Sequence, residues 1–272
     1  MPRRYFAEVI QSGDFSVANE YRKLYDLFYT NINYTSLYHE CKINILNCPF
    51  RGTCLSIDEF NIKYGFHFKK DFYDGNETLD DLVNFIEYTY NFVVLLSEKA
   101  NGYGNQVILY KEQIAIIESS IGYMHQFDET SQTYIFVPIS EAATAVSEII
   151  DPELASKVIF YNHHSMKGDL ARKRDTLLKL ADKLEPKRNV LKGINRQLET
   201  DVFMLLNSIN IRHNNSDPDG SCYKPYVASW EVDTQEEWYD ETYQLVLLSF
   251  LEIDNVERKY KNLKRIFRAK EV

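Results

Sequence analysis

Long hydrophobic runs, glycine, proline and cysteine are all scarce in this sequence. No segment approaches the roughly 18–20 apolar residues needed to span a bilayer, so no membrane-spanning segment is expected. Ten glycines and seven prolines among 272 residues are few for a sandwich or barrel with many tight turns, and they favour helices. Four cysteines do not suggest a disulfide scaffold.

Positive charge is outnumbered by negative charge overall but is concentrated in two segments. The formal net charge is -9, which argues against a chain evenly coated with positive charge for nucleic acid. A local basic site stays compatible with that total, because the local field decides binding. Residues 167–196 carry ten Lys/Arg against four Asp/Glu, and residues 257–272 carry seven against two. These segments are either solvated helix faces or a positive surface for a phosphate backbone.

The residues that are abundant suit a folded chain. Hydrophobic residues make up 44% of the sequence and aromatic residues 14%, which is enough to bury a core. The start of the chain is basic at Arg3 and Arg4, but Glu8, Gln11 and Asp14 interrupt the apolar residues after this basic pair. No signal-peptide core is therefore predicted, and we expect a cytoplasmic protein without a membrane partner.

Apolar spacing predicts helices over most of the chain. Ser16 and Thr78 are the expected N-terminal caps of two of them. The predicted helices cover residues 1–30, 79–99, 141–150, 152–162 and 169–184, then one helix from Pro186 to about Arg212, and a last helix over 234–268. The predicted fold class is mainly α, a helical bundle with a small inserted β-hairpin or sheet.

Runs rich in β-branched residues predict the β insertion, at about residues 106–139. Gln106–Tyr110 and Gln113–Glu118 are expected to form a hairpin, and Thr133–Ile139 a third strand. We accordingly assign residues 1–76 to an N-terminal helical or irregular extension. Residues 77–272 are then assigned to one helical domain that carries the insertion.

One polar segment near the end of a predicted helix is a candidate catalytic site. Asn207 precedes Arg212, His213 and Asn214. Arginine offers a fixed fork for phosphate oxygens, histidine moves a proton near neutral pH, and asparagine can orient either group. This set suits a metal-independent ribonuclease. The alternative is a helix C-cap, since Arg and His favour a helix C-terminus and Asn tolerates left-handed geometry.

The order of elements and several short phrases resemble the HEPN superfamily, and more narrowly HEPN-type proteins of prokaryotic abortive infection and phage defence. The matching stretch covers roughly residues 165–250. The phrases are Lys173-Arg174 with Leu177, Leu178, Leu184 and Glu185, then Asn207 through Asn215, and then Glu237-Trp238-Tyr239-Asp240. The resemblance implies a helical bundle that forms a homodimer, with a composite endoribonuclease site at the dimer interface.

The resemblance also implies roles for individual residues. Arg212 is expected to hold the scissile phosphate, His213 to act as acid or base, and Asn207 and Asn214 to orient groups. RNA is the expected partner, together with a cognate antitoxin or phage protein. The residues expected to contact RNA are Lys167, Arg172, Lys173 and Arg174.

The spacing of the site residues departs from the pattern of the family. That pattern is an Arg, commonly followed by a polar residue, and then a His four to six positions after the Arg. No histidine follows Arg212 at that distance, and Asn207 stands where Arg is usual ahead of His213. The alternative is a catalytically inactive module of the same fold, which dimerises or binds RNA or protein and regulates a partner. A further alternative is a helical scaffold whose basic helix binds acidic partners.

Other motifs that would indicate a cofactor or metal are lacking. No phosphate-cradling loop, Ser-His-Asp elbow, HExxH or EF-hand is present, so no cofactor is expected. Cys41, Cys48 and Cys54, with nearby His39, lack the paired spacing typical of zinc ligands. We predict buried cysteines and no metal site there.

A pair of histidines, His163 and His164, precedes the basic helix. The pair could flank the proposed cleft or bind a metal, or it could form a solvated helix end.

Overall fold

Helices dominate the chain, as predicted. The computed structural model describes residues 15–31, 35–68, 77–97 and 104–268. Within these ranges the β structure is chiefly one two-stranded antiparallel sheet, so the mainly α fold class with a small β-hairpin is confirmed. Among the described helices, none combines the length and the apolar character needed to cross a bilayer. The chain divides into two compact units, Met1–Ile139 and Ser140–Val272.

The first unit contains five α-helices and the sheet within its described residues. They are α1 (Val17–Tyr29), α2 (Leu37–Asn44), α3 (Ile57–Tyr64), α4 (Leu79–Ser97), α5 (Gly104–Ile121), β1 (Tyr123–Asp128) and β2 (Thr133–Pro138). The Ser16 side chain accepts a hydrogen bond from the Asn19 backbone N–H, and Thr78 Oγ1 accepts from the Asp81 N–H. Both predicted caps are therefore confirmed.

Aromatic rings fill the core of the first unit. Phe85 of α4 is fully buried, and its ring centroid lies 4.9 Å from that of Tyr21 and 6.3 Å from that of Phe28, both on α1. Tyr21 and Phe28 are seven residues apart, which places them on one face of α1. The three cysteines of this unit, Cys41, Cys48 and Cys54, are buried as predicted and form no disulfide.

The predicted hairpin over residues 106–118 is wrong, because this segment is the helix α5. Val107, Tyr110, Ile114 and Ile117 recur at spacings of three and four, and all four are buried. Packing of this face against α1 and α4 outweighs the β preference of the branched side chains. The predicted third strand is real: β2 pairs with β1, in a register that sets Tyr123 opposite Pro138.

The second unit consists of helices and loops, without a strand among its described residues. Its helices are α6 (Glu141–Ser147), α7 (Pro152–Phe160), α8 (Leu170–Leu184), α9 (Arg188–Ile194), α10 (Arg196–Ser208), α11 (Pro225–Ala228) and α12 (Val232–Arg268). The long helix α12 packs against α6, α8, α9 and α10. Residues 209–224 form the loop between α10 and α11.

The helix predicted from Pro186 to about Arg212 is interrupted and ends early. Asn195 ends α9 in an extended conformation, and its side chain then accepts a hydrogen bond from the Leu198 N–H to cap α10. Helix α10 ends at Ser208, so Arg212 lies in the loop and not on a helix. The expectation that Asn207 and Arg212 belong to one helix is therefore wrong.

The compact units do not follow the boundary expected between residues 76 and 77. Helices α1 and α2 pack against α4, so the packing of the first unit spans that boundary. Parts of two predicted helices, residues 1–14 and 98–99, lie outside the described residues.

Candidate functional site

The loop after α10 is held by two asparagines that bond to each other. Asn210 has a φ of 64°, a left-handed conformation that asparagine tolerates better than most residues. Its backbone N–H donates to Asn215 Oδ1 at 2.8 Å, and the Asn215 N–H donates to Asn210 Oδ1 at 2.7 Å. This reciprocal pair closes the loop into a fixed turn.

Asn215 is the fully buried centre of that loop. Its Nδ2 donates to the carbonyl of Cys222 at 2.8 Å and to that of Asn207 at 3.2 Å, and its own carbonyl accepts from the Lys224 N–H. Together with the bond that Oδ1 accepts from Asn210, these contacts tie both ends of the loop together. Sequence reasoning missed this role, because the partners are backbone groups that no residue pattern identifies.

Arg212 is engaged at the C-terminal end of α8. Its Nη1 lies 2.6 Å from Glu185 Oε2, and its Nη2 donates to the carbonyl of Ala181 at 3.2 Å. The guanidinium also lies over the ring of Phe203, 5.5 Å from its centroid. The Ala181 carbonyl also accepts from the Glu185 N–H, so Arg212 adds a second donor and a positive charge at the C-terminal end of α8.

The other three predicted catalytic residues are placed differently. His213 is exposed and makes no hydrogen bond to a described residue. Asn207 is half-buried on the last turn of α10, and its carbonyl accepts from Asn215. Asn214 lies in the wall of a cleft, where its Oδ1 accepts from Ser216. The four residues that the sequence analysis grouped into one catalytic site therefore make different contacts and differ in exposure.

Lys173, predicted to contact RNA, is buried with two acidic partners on α12. Its Nζ lies 2.7 Å from Glu236 Oε1 and 2.6 Å from Asp240 Oδ1, and 5.2 Å from the ring centroid of Tyr161. Only 7% of the side chain is exposed. Lys173 is thus a structural cation with little exposed surface, and its contact with RNA stays a prediction.

Glu236 is held in its ionised form by that lysine. Burial alone would raise the pKa of Glu236, but hydrogen bonds from the Lys173 ammonium and from the Gly168 N–H keep the pKa below its usual range. The carboxylate therefore keeps its charge at neutral pH and joins α12 to the start of α8.

Most other cations of α8 also meet an aspartate. Arg172 Nε lies 2.6 Å from Asp169 Oδ2, and Lys179 Nζ lies 3.0 Å from Asp175 Oδ2. Arg172 and Lys167, both predicted to contact RNA, are exposed. The predicted basic surface is thus largely neutralised by neighbouring carboxylates.

Arg174 differs from these cations. Its Nε donates to the carbonyl of Ile211 at 2.9 Å, which fixes the guanidinium beside the loop. Among the described residues it forms no ion pair, and its two terminal nitrogens make no hydrogen bond. The fork that can bind two oxygens is therefore available.

Arg174 opens into a cleft of about 360 Å³ between α8, the loop and α12. Among the residues that the structure describes, no acidic side chain lines it. The lining residues are Leu170, Ala171, Arg174, Asn210, Asn214, Ser216, Gln235 and Tyr239. An arginine among amides and hydroxyls, without a competing carboxylate, suits a phosphate or carboxylate ligand.

Tyr239 forms the floor of this cleft and is already satisfied. Its hydroxyl donates to the carbonyl of Asn210 at 3.1 Å and accepts from Gln235 Nε2 at 2.9 Å. Burial raises the pKa of Tyr239, against the opposing effects of Gln235 and the Arg174 charge. The hydroxyl is therefore a neutral structural group and not a general base.

His163 belongs to a short turn ahead of α8. Its Nδ1 accepts from the Ser165 N–H at 3.2 Å, which caps the turn His164–Met166.

No protein-family model matches the sequence, and the searches of curated proteins and of solved structures return no match. The resemblance to the HEPN superfamily therefore rests on the quoted residues alone.

Proposed function

We propose that the second unit is a non-cleaving HEPN-like helical module that binds RNA through a phosphate group at Arg174. The observation that carries the proposal is the available guanidinium fork of Arg174 in a cleft whose described lining has no acidic side chain. Arginine binds phosphate oxygens with two parallel hydrogen bonds. The hydrogen bond from Arg174 Nε to the carbonyl of Ile211 already holds the guanidinium in position.

The position of Arg212 argues for binding without cleavage. Metal-independent cleavage needs a cation, a base and an acid around one phosphate. Arg212 is instead paired with Glu185 and bonded to Ala181. We therefore propose the catalytically inactive alternative, a module that regulates a partner in phage defence. That this module forms a homodimer and lies in the cytoplasm stays a prediction.

The charge distribution limits the kind of RNA contact. Because most lysines and arginines of α8 near Arg174 are ion-paired, we expect one or two phosphates to be bound and not an extended backbone. The logarithm of the affinity should then fall with the logarithm of the salt concentration with a slope of only about one or two.

Fluorescence anisotropy with a labelled single-stranded RNA of about ten nucleotides tests the proposal. Arg174→Ala should weaken binding about tenfold, because a charge-assisted bidentate contact is lost. Arg196→Ala is the matched control: Arg196 is exposed, lies outside the cleft and forms no ion pair with a described residue, so its loss should have little effect. Equal affinities of wild type and Arg174→Ala would refute the site.

An endoribonuclease is the second candidate, and the exposed His213 beside Asn214 favours it. The test is RNA integrity and growth in cells that express the wild type, His213→Ala or Arg212→Ala. RNA fragments that depend on His213 would establish cleavage and replace the binding proposal. Intact RNA in all three strains, with binding in vitro, supports the non-cleaving module.

A further inference from the structure

Both tryptophans of the chain lie on one surface of the second unit, beside an exposed tyrosine. Trp230 and Trp238 stack with ring centroids 6.0 Å apart and planes 9° apart, and Tyr226 lies 5.9 Å from Trp230. Tyr226 is 52% exposed and Trp238 is 41% exposed. Aromatic rings of this size gain most of their stabilisation by burial, so their exposure indicates a binding surface. We call these three rings the aromatic shelf.

A row of acidic side chains runs along α12 beside the aromatic shelf. Asp233, Glu237 and Glu241 are four residues apart in succession, so they are neighbours on the helix surface. All three are exposed, and none forms an ion pair with a described residue. We call them the acidic row. Glu237 precedes Trp238 directly, and Glu241 follows it by three residues, so the row adjoins the shelf.

The acidic row is not explained by the stability of the helix itself. Helix α12 begins at Val232, and the favourable effect of its N-terminus on acidic groups fades after the first turn. Asp233 lies in that turn, but Glu237 and Glu241 lie beyond it. Like charges four residues apart repel each other and weaken a helix. A cation from outside would relieve this repulsion.

We propose that the aromatic shelf and the acidic row bind an arginine-bearing segment of a partner protein. A guanidinium can stack flat on an indole and at the same time donate hydrogen bonds to a carboxylate. The two chemistries that arginine uses are both present within Trp230–Glu241. A nucleic acid would meet the rings with its bases, but the acidic row would repel its phosphates. The proposal does not depend on RNA binding at Arg174.

The two shelf tryptophans are the only ones in the chain, so tryptophan fluorescence reports on this surface directly. The probe is a short peptide in which arginine alternates with glycine and serine, titrated into the full chain at low salt. We expect a saturable change in emission that salt weakens. The same peptide with citrulline, which keeps the shape but lacks the charge, should give no change.

Variants at exposed positions separate the two contributions. Trp238→Phe should weaken peptide binding about two- to fivefold, with Trp230 as the remaining reporter. The double variant Glu237→Gln, Glu241→Gln should weaken it at least as much and reduce the salt dependence. Glu257→Gln, far along α12, is the control: this carboxylate pairs with Lys187, and its loss should leave peptide binding as in the wild type. An unchanged far-ultraviolet circular dichroism spectrum shows that each variant is folded.

Three outcomes would overturn the proposal. The first is no fluorescence change with the arginine peptide. The second is an equal response to the citrulline peptide or in the Gln variant, which would mean that charge plays no part. The third is a response to single-stranded RNA, or to raised protein concentration alone, that exceeds the response to the peptide. These results would assign the surface to nucleic acid or to a second copy of the chain.

Discussion

The two units of this chain use different interactions to hold their helices. In the first unit, rings from α1 and α4 pack around Phe85, and the three cysteines are buried among apolar neighbours. In the second unit, α12 is joined to α8 through the Lys173 ion pairs, and the loop after α10 is held by Asn215. This difference indicates where chemistry can arise. The second unit fixes arginines and amides around a cleft, and one of these arginines is left available.

The largest expected effect is the removal of the central ring of the first unit. Phe85→Ala should lower the free energy of unfolding by about 4 kcal/mol, because a buried ring is replaced by a cavity. Hydrogen exchange of α4 amides measures the loss locally. The exposed ring of Phe127 provides the control: Phe127→Ala should cost less than about 1 kcal/mol. Equal costs would contradict an aromatic core centred on Phe85.

Next in size is the loss of the buried cation of the second unit. Lys173→Ala should cost about 3 kcal/mol, since it leaves the carboxylate of Glu236 without its cation. Tryptophan fluorescence during urea unfolding follows this unit. The matched control is Lys179→Ala, whose solvent-exposed pair with Asp175 should contribute little to stability. If Lys173→Ala is as stable as the control, the ion pair does not join α8 to α12.

A smaller effect is expected for Arg212. Arg212→Ala should cost about 1.5 kcal/mol, because the Ala181 carbonyl loses a charged donor and Glu185 loses its closest cation. His213→Ala should leave stability unchanged, because its side chain is exposed. Urea unfolding of the two variants under identical conditions makes the comparison. An Arg212→Ala protein as stable as the wild type would exclude this structural role and reopen a catalytic one.

The smallest expected effect is a dependence of stability on acid. The pKa of Glu236 is lower in the fold than in the unfolded chain, so its ionised form stabilises the fold above the ordinary glutamate value near 4.5. This contribution is lost as the pH falls from that value through the folded-state pKa. Unfolding of wild type and Glu236→Gln between neutral pH and pH about 3 measures it. The variant should show the weaker acid dependence, and parallel curves would contradict the assignment.

Periodic patterns in the sequence were sufficient to predict most helices. Helix α8 matches the prediction for 169–184, with Asp169 as the residue whose side chain caps it through the Arg172 N–H. Helix α5 differs from the prediction because its branched side chains favour a strand, whereas their spacing fits a helix. The break at Asn195 was missed because one apolar stripe continues across both helices.

The site could be predicted only in part. Arg174 and Asn214 were identified from the sequence and do line the cleft. Lys173 and Arg174 are adjacent cations on one amphipathic helix, and their local sequence does not distinguish them. The ion pairs of Lys173 are made with α12, and its partner Asp240 lies 67 residues later. Such a pairing is set by the tertiary packing of α12, which local patterns do not contain.

The hydrogen bonds of Asn215 have a consequence for ligand recognition. These hydrogen bonds fix the loop that carries Asn210, Asn214 and Ser216, so the cleft beside Arg174 is preorganised. A ligand that enters the cleft therefore does not have to order the loop. The conformational entropy lost on binding is then mainly that of the ligand. Association should accordingly be rapid, and calorimetry should show only a modest change in heat capacity.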